Sequence, residues 1–125
     1  MEKVDVVCGV VTHKERILIT QRSDENNYGK WEFPGGKVKN NEHAFDSIKR
    51  ELFEELELIV TPTKKLMSYN FKDYNLIFIS CVPKEEGHIK LKEHLSFKWV
   101  RKEDLLLFNF LEGDVSFIKY YTDEA

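Results

Sequence analysis

Apolar and polar positions alternate along most of the chain, and one central stretch breaks into a helical repeat. Val4 to Val11 is dense in β-branched residues and predicts a mostly buried strand. His13-Lys14-Glu15-Arg16 reads as a polar turn, with Ile17 to Gln21 returning as the second strand of a hairpin. Ser23 to Lys30 has loop composition, and Trp31-Glu32-Phe33 is a short extended piece closed by Pro34-Gly35-Gly36. The helical repeat follows, with Asn40 or Asn41 as its N-cap. Phe45, Ile48, Leu52 and Leu56 form one core-facing stripe, and Glu51, Glu54 and Glu55 fall beside or opposite it.

Strand patterning resumes at Ile59 to Thr61 and at Lys65 to Phe71. Lys72 to Asn75 predicts a hairpin turn, and Leu76 to Val82 a further strand. Pro83 to Gly87 reads as loop, Ile89 and Leu91 flank Lys90 as a short strand, and Phe97 to Val100 is another. Glu103 to Leu107 predicts a short helix. Gly113 to Tyr121 predicts a closing one, capped by Asp114, with Val115, Ile118 and Tyr121 inward. Strands on both sides of a central helix imply an α/β fold with a mixed sheet packed between helices.

Composition narrows the class. The 125 residues are expected to form one domain, residues 1–125, large enough for a real core. A net charge of −3 argues against nucleic acid polymers and anionic membranes as non-specific partners. No apolar run reaches the roughly 18 residues of a membrane span, and the acidic, alternating N-terminus lacks a signal-peptide layout. Cys8 and Cys81 both lie in apolar strand-like segments, as expected of buried thiols in a reduced cytoplasmic protein. A monomer is the simplest expectation.

Chemistry enters through Glu51, Glu54 and Glu55, which share one helix face at i, i+3 and i+4. Like charges at those spacings oppose helix formation, so the trio is either a solvated acidic face or a seat for a hard divalent cation. Gly35 and Gly36 permit close backbone approach and left-handed turns. Arg50 can pair along the helix with Asp46 or Glu54 and so hold the acidic side chains. Lys30, Lys37 and Lys39 would draw a polyphosphate toward the glycines, or form a solvated basic fringe.

Gly36, Glu42, Arg50-Glu51-Leu52, Glu54-Glu55 and Leu58 together resemble the Nudix box, GX5EX7REUXEEXGU with U aliphatic. The six Gly, Glu and Arg matches would arise by chance on the order of 10⁻⁷ per starting point. Glu57 departs from the pattern, standing where the family has a glycine at the helix end. That residue either adopts a strained left-handed conformation or lets the helix run longer. Trp31 to Val38, Ile19 to Arg22, Leu91 to His94 and Asp114 extend the similarity to MutT-type enzymes and (d)CTP pyrophosphohydrolases.

The resemblance implies a Nudix α/β/α sandwich. It implies hydrolysis of a nucleoside triphosphate to monophosphate and pyrophosphate, with Mg²⁺ or Mn²⁺. It makes Glu51 the general base or a metal ligand, assigns Glu54 to metal and catalysis, and adds Glu55, Glu93 and the Gly35 carbonyl as metal ligands. Arg22, Gly36 and Lys37 would meet phosphates, Phe33 would line the nucleotide site and Asp114 would read the base. Each also has an ordinary reading: Arg22 and Glu93 as surface charges, Phe33 as core, Asp114 as a helix cap. The histidines His43, His88 and His94 are expected in solvent. The base is 8-oxo-guanine or cytosine. Alternatives are a dinucleoside polyphosphate hydrolase, with Tyr69 or Tyr74 stacking an adenine, and a non-catalytic nucleotide sensor.

Overall fold

The structure, a computed structural model, describes residues 3–84 and 88–123. Strand β1 (Val4–His13) turns at Lys14 and Glu15, both at positive φ, and returns as β2 (Arg16–Gln21). Two left-handed residues suit a two-residue hairpin, whose twist matches that of the strands. Strand β3 (Trp31–Glu32) pairs with β2, and β4 (Gly35–Lys37) pairs antiparallel with Val6 to Cys8 of β1.

Helix α1 (Ala44–Leu56) follows, then the hairpin of β5 (Val60–Phe71) and β6 (Tyr74–Pro83). Strand β6 lies parallel to β1 over Val4 to Val11, which requires a long crossover between them; α1 is part of it. Strand β7 (Ser96–Arg101) joins β2, a 3₁₀ turn spans Lys102–Leu107, and helix α2 (Glu112–Thr122) closes the fold. The strand order is β3-β2-β1-β6-β5, with β4 on β1 and β7 on β2.

Alternation along the strands sends residues to two separate cores. Val7, Val11, Leu18, Ile79 and Cys81 face one side, where Ile48, Leu52 and Leu56 of α1 cover them. Cys8, Val10, Ile19 and Phe78 face the other, under Phe117 and Ile118 of α2. The sheet is therefore sandwiched between the helices, as the patterning predicts. Each fully buried aliphatic side chain contributes roughly 1.5–3 kcal/mol. Among the described residues no helix is long and apolar enough to cross a membrane.

Several expectations are corrected. Gly35 and Gly36 form a strand rather than a turn, and neither has positive φ. Helix α1 begins later than either asparagine: Asn41 is itself left-handed, and His43 is the cap, its Nδ1 accepting from the Phe45 N–H at 3.0 Å. The stretches from 59 to 71 merge into one strand, which absorbs its irregular pattern as bulges near Thr63 and Leu66. The turn between β5 and β6 is tighter than expected, because Tyr74 and Asn75 already pair with Phe71 and Asn70. Residues 89–91 form no strand. Residues 85–87 of the expected loop lie outside the described residues. Asp114 is not the cap of α2; Leu111 is, and Asp114 sits buried in the first turn, with Phe117 inward as well.

Candidate active site

Arg50 gathers the acidic face of α1. Its Nε and Nη2 donate to both oxygens of Glu42, at 2.9 and 3.0 Å. Nη1 donates to Glu51 at 3.0 Å and to Glu54 at 3.1 Å, and Nη2 also reaches the Lys37 carbonyl at 3.1 Å. Of the two partners expected along the helix, Glu54 is the one observed; Glu42 and Glu51 are additional. Hydrogen bonds from Arg50 and from the Lys39 backbone hold the Glu42 carboxyl down to about 2. The guanidinium fork thus fixes one oxygen of Glu51 and keeps three carboxylates near one another.

Glu51, Glu54, Glu55, Lys92, Glu93 and His94 line one cleft of about 370 Å³. All four acidic residues that the resemblance assigns to metal line it. His94, expected in solvent, has a side chain only 7% exposed. Its Nε2 lies 2.8 Å from Glu32 and 4.0 Å from Glu55, bridging two carboxylates from different elements. Burial lowers the imidazole pKa, but the hydrogen bond and charge of Glu32, aided by Glu55, outweigh it and raise the value overall. Glu55 is pushed up to about 8, first by burial and then by the charge of Glu32.

A second cleft, of about 500 Å³, is lined by Arg22, Lys30, Glu32, Phe33, Lys37 and Asp114 among others. Asp114 lies on its wall, 4% exposed, accepting from the Phe33 N–H at 3.3 Å. Burial, reinforced by the charge of Glu32, raises its carboxyl to about 8. An acid held there offers both a donor and an acceptor to a base edge. Phe33 is both a core residue, edge-on to Phe78 and Phe117, and part of the cleft wall. Arg22 is held by Asp24 at 2.6 Å and by Glu32 at 2.9 Å. Lys39 lies outside the lining, and Tyr74 inside it; Tyr69 stacks on Phe78, its hydroxyl donating to the Gly113 carbonyl.

Gly35 and Gly36 line the larger cleft, and Gly36 packs against Glu51, which lines the smaller one. A Cβ on Gly36 would lie 2.4 Å from the Glu51 carboxyl, and one on Gly35 would lie 1.8 Å from the Val7 carbonyl oxygen. The glycines are demanded by close packing: one lets β4 lie against β1, the other leaves room for Glu51. Glu32 also joins the clefts, because it lines the larger one and binds His94 in the smaller.

The donor set suits a hard divalent cation. It is all oxygen, and Glu55 Oε1 is buried with no hydrogen-bond partner. Among the described residues no three acidic, histidine or cysteine donors already stand at metal-binding spacing. Glu32 and His94 are the groups that sequence reasoning missed. A carboxylate between Trp31 and Phe33 in a buried strand was the available signal for Glu32; nothing local marks His94.

Comparison with known proteins bears on the family and the fold. The NUDIX domain model matches residues 2–121. An 8-oxo-dGTP diphosphatase of Buchnera aphidicola subsp. Schizaphis graminum is 37% identical over 113 residues, 88% of this chain and 86% of the relative. A CTP pyrophosphohydrolase of Escherichia coli K12 is 27% identical over 125 residues, 97% of this chain and 93% of the relative. The crystal structure of a MutT protein from Methanosarcina mazei Go1 shares the fold, with a TM-score of 0.78 at 23% identity, over 96% of this chain and 93% of that one. A domain match over nearly the whole chain and a relative 37% identical over 88% of it show that the chain belongs to the Nudix hydrolase family.

Proposed function

We propose that this single-domain enzyme hydrolyses a nucleoside triphosphate to the monophosphate and pyrophosphate. The base is 8-oxo-guanine or cytosine. The observation that carries the reading is the packing of Gly36, which lines the larger cleft, against Glu51, which lines the carboxylate cleft. Phe33 and Asp114 would receive the base, since the acid can donate and accept along one base edge. Arg22, Lys37 and the Gly36 backbone would meet the phosphate chain, which then extends toward Glu51.

Glu51, Glu54, Glu55, Glu93 and the Gly35 carbonyl would hold Mg²⁺, or Mn²⁺ in its place. Such a cation neutralises phosphate charge and polarises the bond to be cleaved. Glu51, fixed by Arg50 through one oxygen, keeps its other oxygen for orienting and deprotonating the attacking water. Every group named comes from one chain, so the reading needs only a monomer. Buried thiols at Cys8 and Cys81, both unpaired, are in keeping with the cytoplasm.

The base assignment is tested by kcat/KM across a panel of oxidised and ordinary triphosphates, for the wild type and Asp114→Ala. The wild type should favour 8-oxo-dGTP or a cytidine nucleotide, and the variant should lose that preference. An unchanged ranking in the variant would exclude Asp114 as the reader.

A further inference from the structure

Glu57 is the box's one departure, and the structure places it in the left-handed region at φ 53° and ψ 29°, where glycine is favoured. Helix α1 does not run longer: Glu57 N–H donates to Phe53 O at 2.9 Å and Leu58 N–H to Leu52 O at 3.3 Å, closing the helix. The strain therefore accompanies a side chain, and that side chain has a partner. Glu57 Oε2 lies 2.7 Å from Lys92 Nζ and 3.9 Å from Lys90 Nζ.

Lys92 immediately precedes Glu93. The segment that carries Glu93 is attached at both ends. On its far side Leu95 N–H donates to Gln21 O at 2.9 Å, Ser23 donates to Glu93 O, and His94 meets Glu32. On its near side one backbone bond, Lys90 N–H to Leu56 O at 2.9 Å, and the Glu57–Lys92 pair hold it to the end of α1. Residues 88–95 carry no regular helix or strand, so such anchors matter here. We propose that Glu57, acting through Lys92, is a positioning residue that sets Glu93 against the carboxylates of α1 for cation binding. It also neutralises the ammonium of Lys92, which lines the carboxylate cleft and whose uncompensated positive charge would oppose a cation there.

The inference rests on the metal reading above, and its test separates the two. Glu57→Gln keeps the backbone strain and loses the charge; Glu57→Gly loses both. In both variants of the full chain without metal, exchange of the Lys90 amide should quicken about two- to fivefold, as loss of an exposed ion pair allows, while Leu95 exchanges as in the wild type. Mn²⁺ uptake, followed by its electron paramagnetic resonance, should weaken about two- to fivefold. The melting temperature of Glu57→Gly should rise by roughly 2–4 °C as the left-handed strain is relieved. Wild-type amide exchange or wild-type Mn²⁺ uptake in both variants overturns the proposal. So does a lower melting temperature in both that tracks the weaker uptake, because Glu57 would then be an ordinary stabiliser. A wild type that takes up no Mn²⁺ overturns the metal reading and this inference with it.

Discussion

Arg50 and Glu42 meet in a two-pronged ion pair, with Nε at 2.9 Å from Oε2 and Nη2 at 3.0 Å from Oε1. The pair lets the remaining guanidinium nitrogen hold Glu51 and Glu54 in fixed positions. Lysine keeps the charge but lacks the fork. Arg50→Lys should therefore lower kcat about 10- to 100-fold, the usual cost of losing an outer partner of a metal site. Steady-state kinetics beside a thermal melt will check it; a wild-type kcat would show that Glu51 needs no such support.

Glu51 packs its carboxyl against Gly36 of the glycine strand. Glu51→Gln should cut kcat by about 10²–10⁴-fold with circular dichroism and melting temperature close to wild type. Near-normal turnover would remove Glu51 as the principal base.

The two glycines should fail differently. Gly36→Ala meets only the end of the Glu51 side chain, which can swing aside, so the protein should fold but lose on the order of 10²-fold in kcat from misplacement. Gly35→Ala drives a methyl into the Val7 backbone and should prevent β4 from pairing with β1, leaving little soluble protein. Equal solubility and equal activity of the two variants would refute the packing argument.

Asp114 gives a pH dependence of definite sign. Its folded pKa of about 8 lies above the ordinary value of 3.8, so between these values the unfolded chain releases a proton that the folded protein keeps. The unfolded state then binds fewer protons, and this carboxyl costs stability as pH rises, at up to about 1.4 kcal/mol per pH unit. Below pH 4 the cost is absent, and above pH 8 it is fully present. Asp114→Asn cannot ionise, so its melting temperature relative to wild type should climb between pH 5 and pH 8. A constant difference across that range would mean that Asp114 ionises freely in the folded protein.

Residues close in sequence made the box legible, because Glu51, Glu54 and Glu55 share a helix face by geometry alone. The strands were legible because alternation sorts Val7 and Cys8 into different cores. The rest depended on distant meetings. His94 is drawn inward by Glu32, sixty-two residues away, and no local pattern carries that contact. Asp114 read as a cap because caps favour aspartate, whereas the chain turns at Leu111 and carries the carboxyl into the protein. The glycines read as a turn because their true constraint, space beside Val7 and Glu51, exists only once the sheet and α1 are assembled.

Metal-dependent release of pyrophosphate is the activity proposed for the two clefts. It is tested most directly by separating the products formed from 8-oxo-dGTP and from CTP with Mg²⁺ and with excess chelator. The account predicts monophosphate and pyrophosphate in equal amounts from at least one substrate with Mg²⁺, and neither product with chelator. Diphosphate with inorganic phosphate, turnover that survives chelation, or tight binding of a nucleotide without any hydrolysis would contradict it.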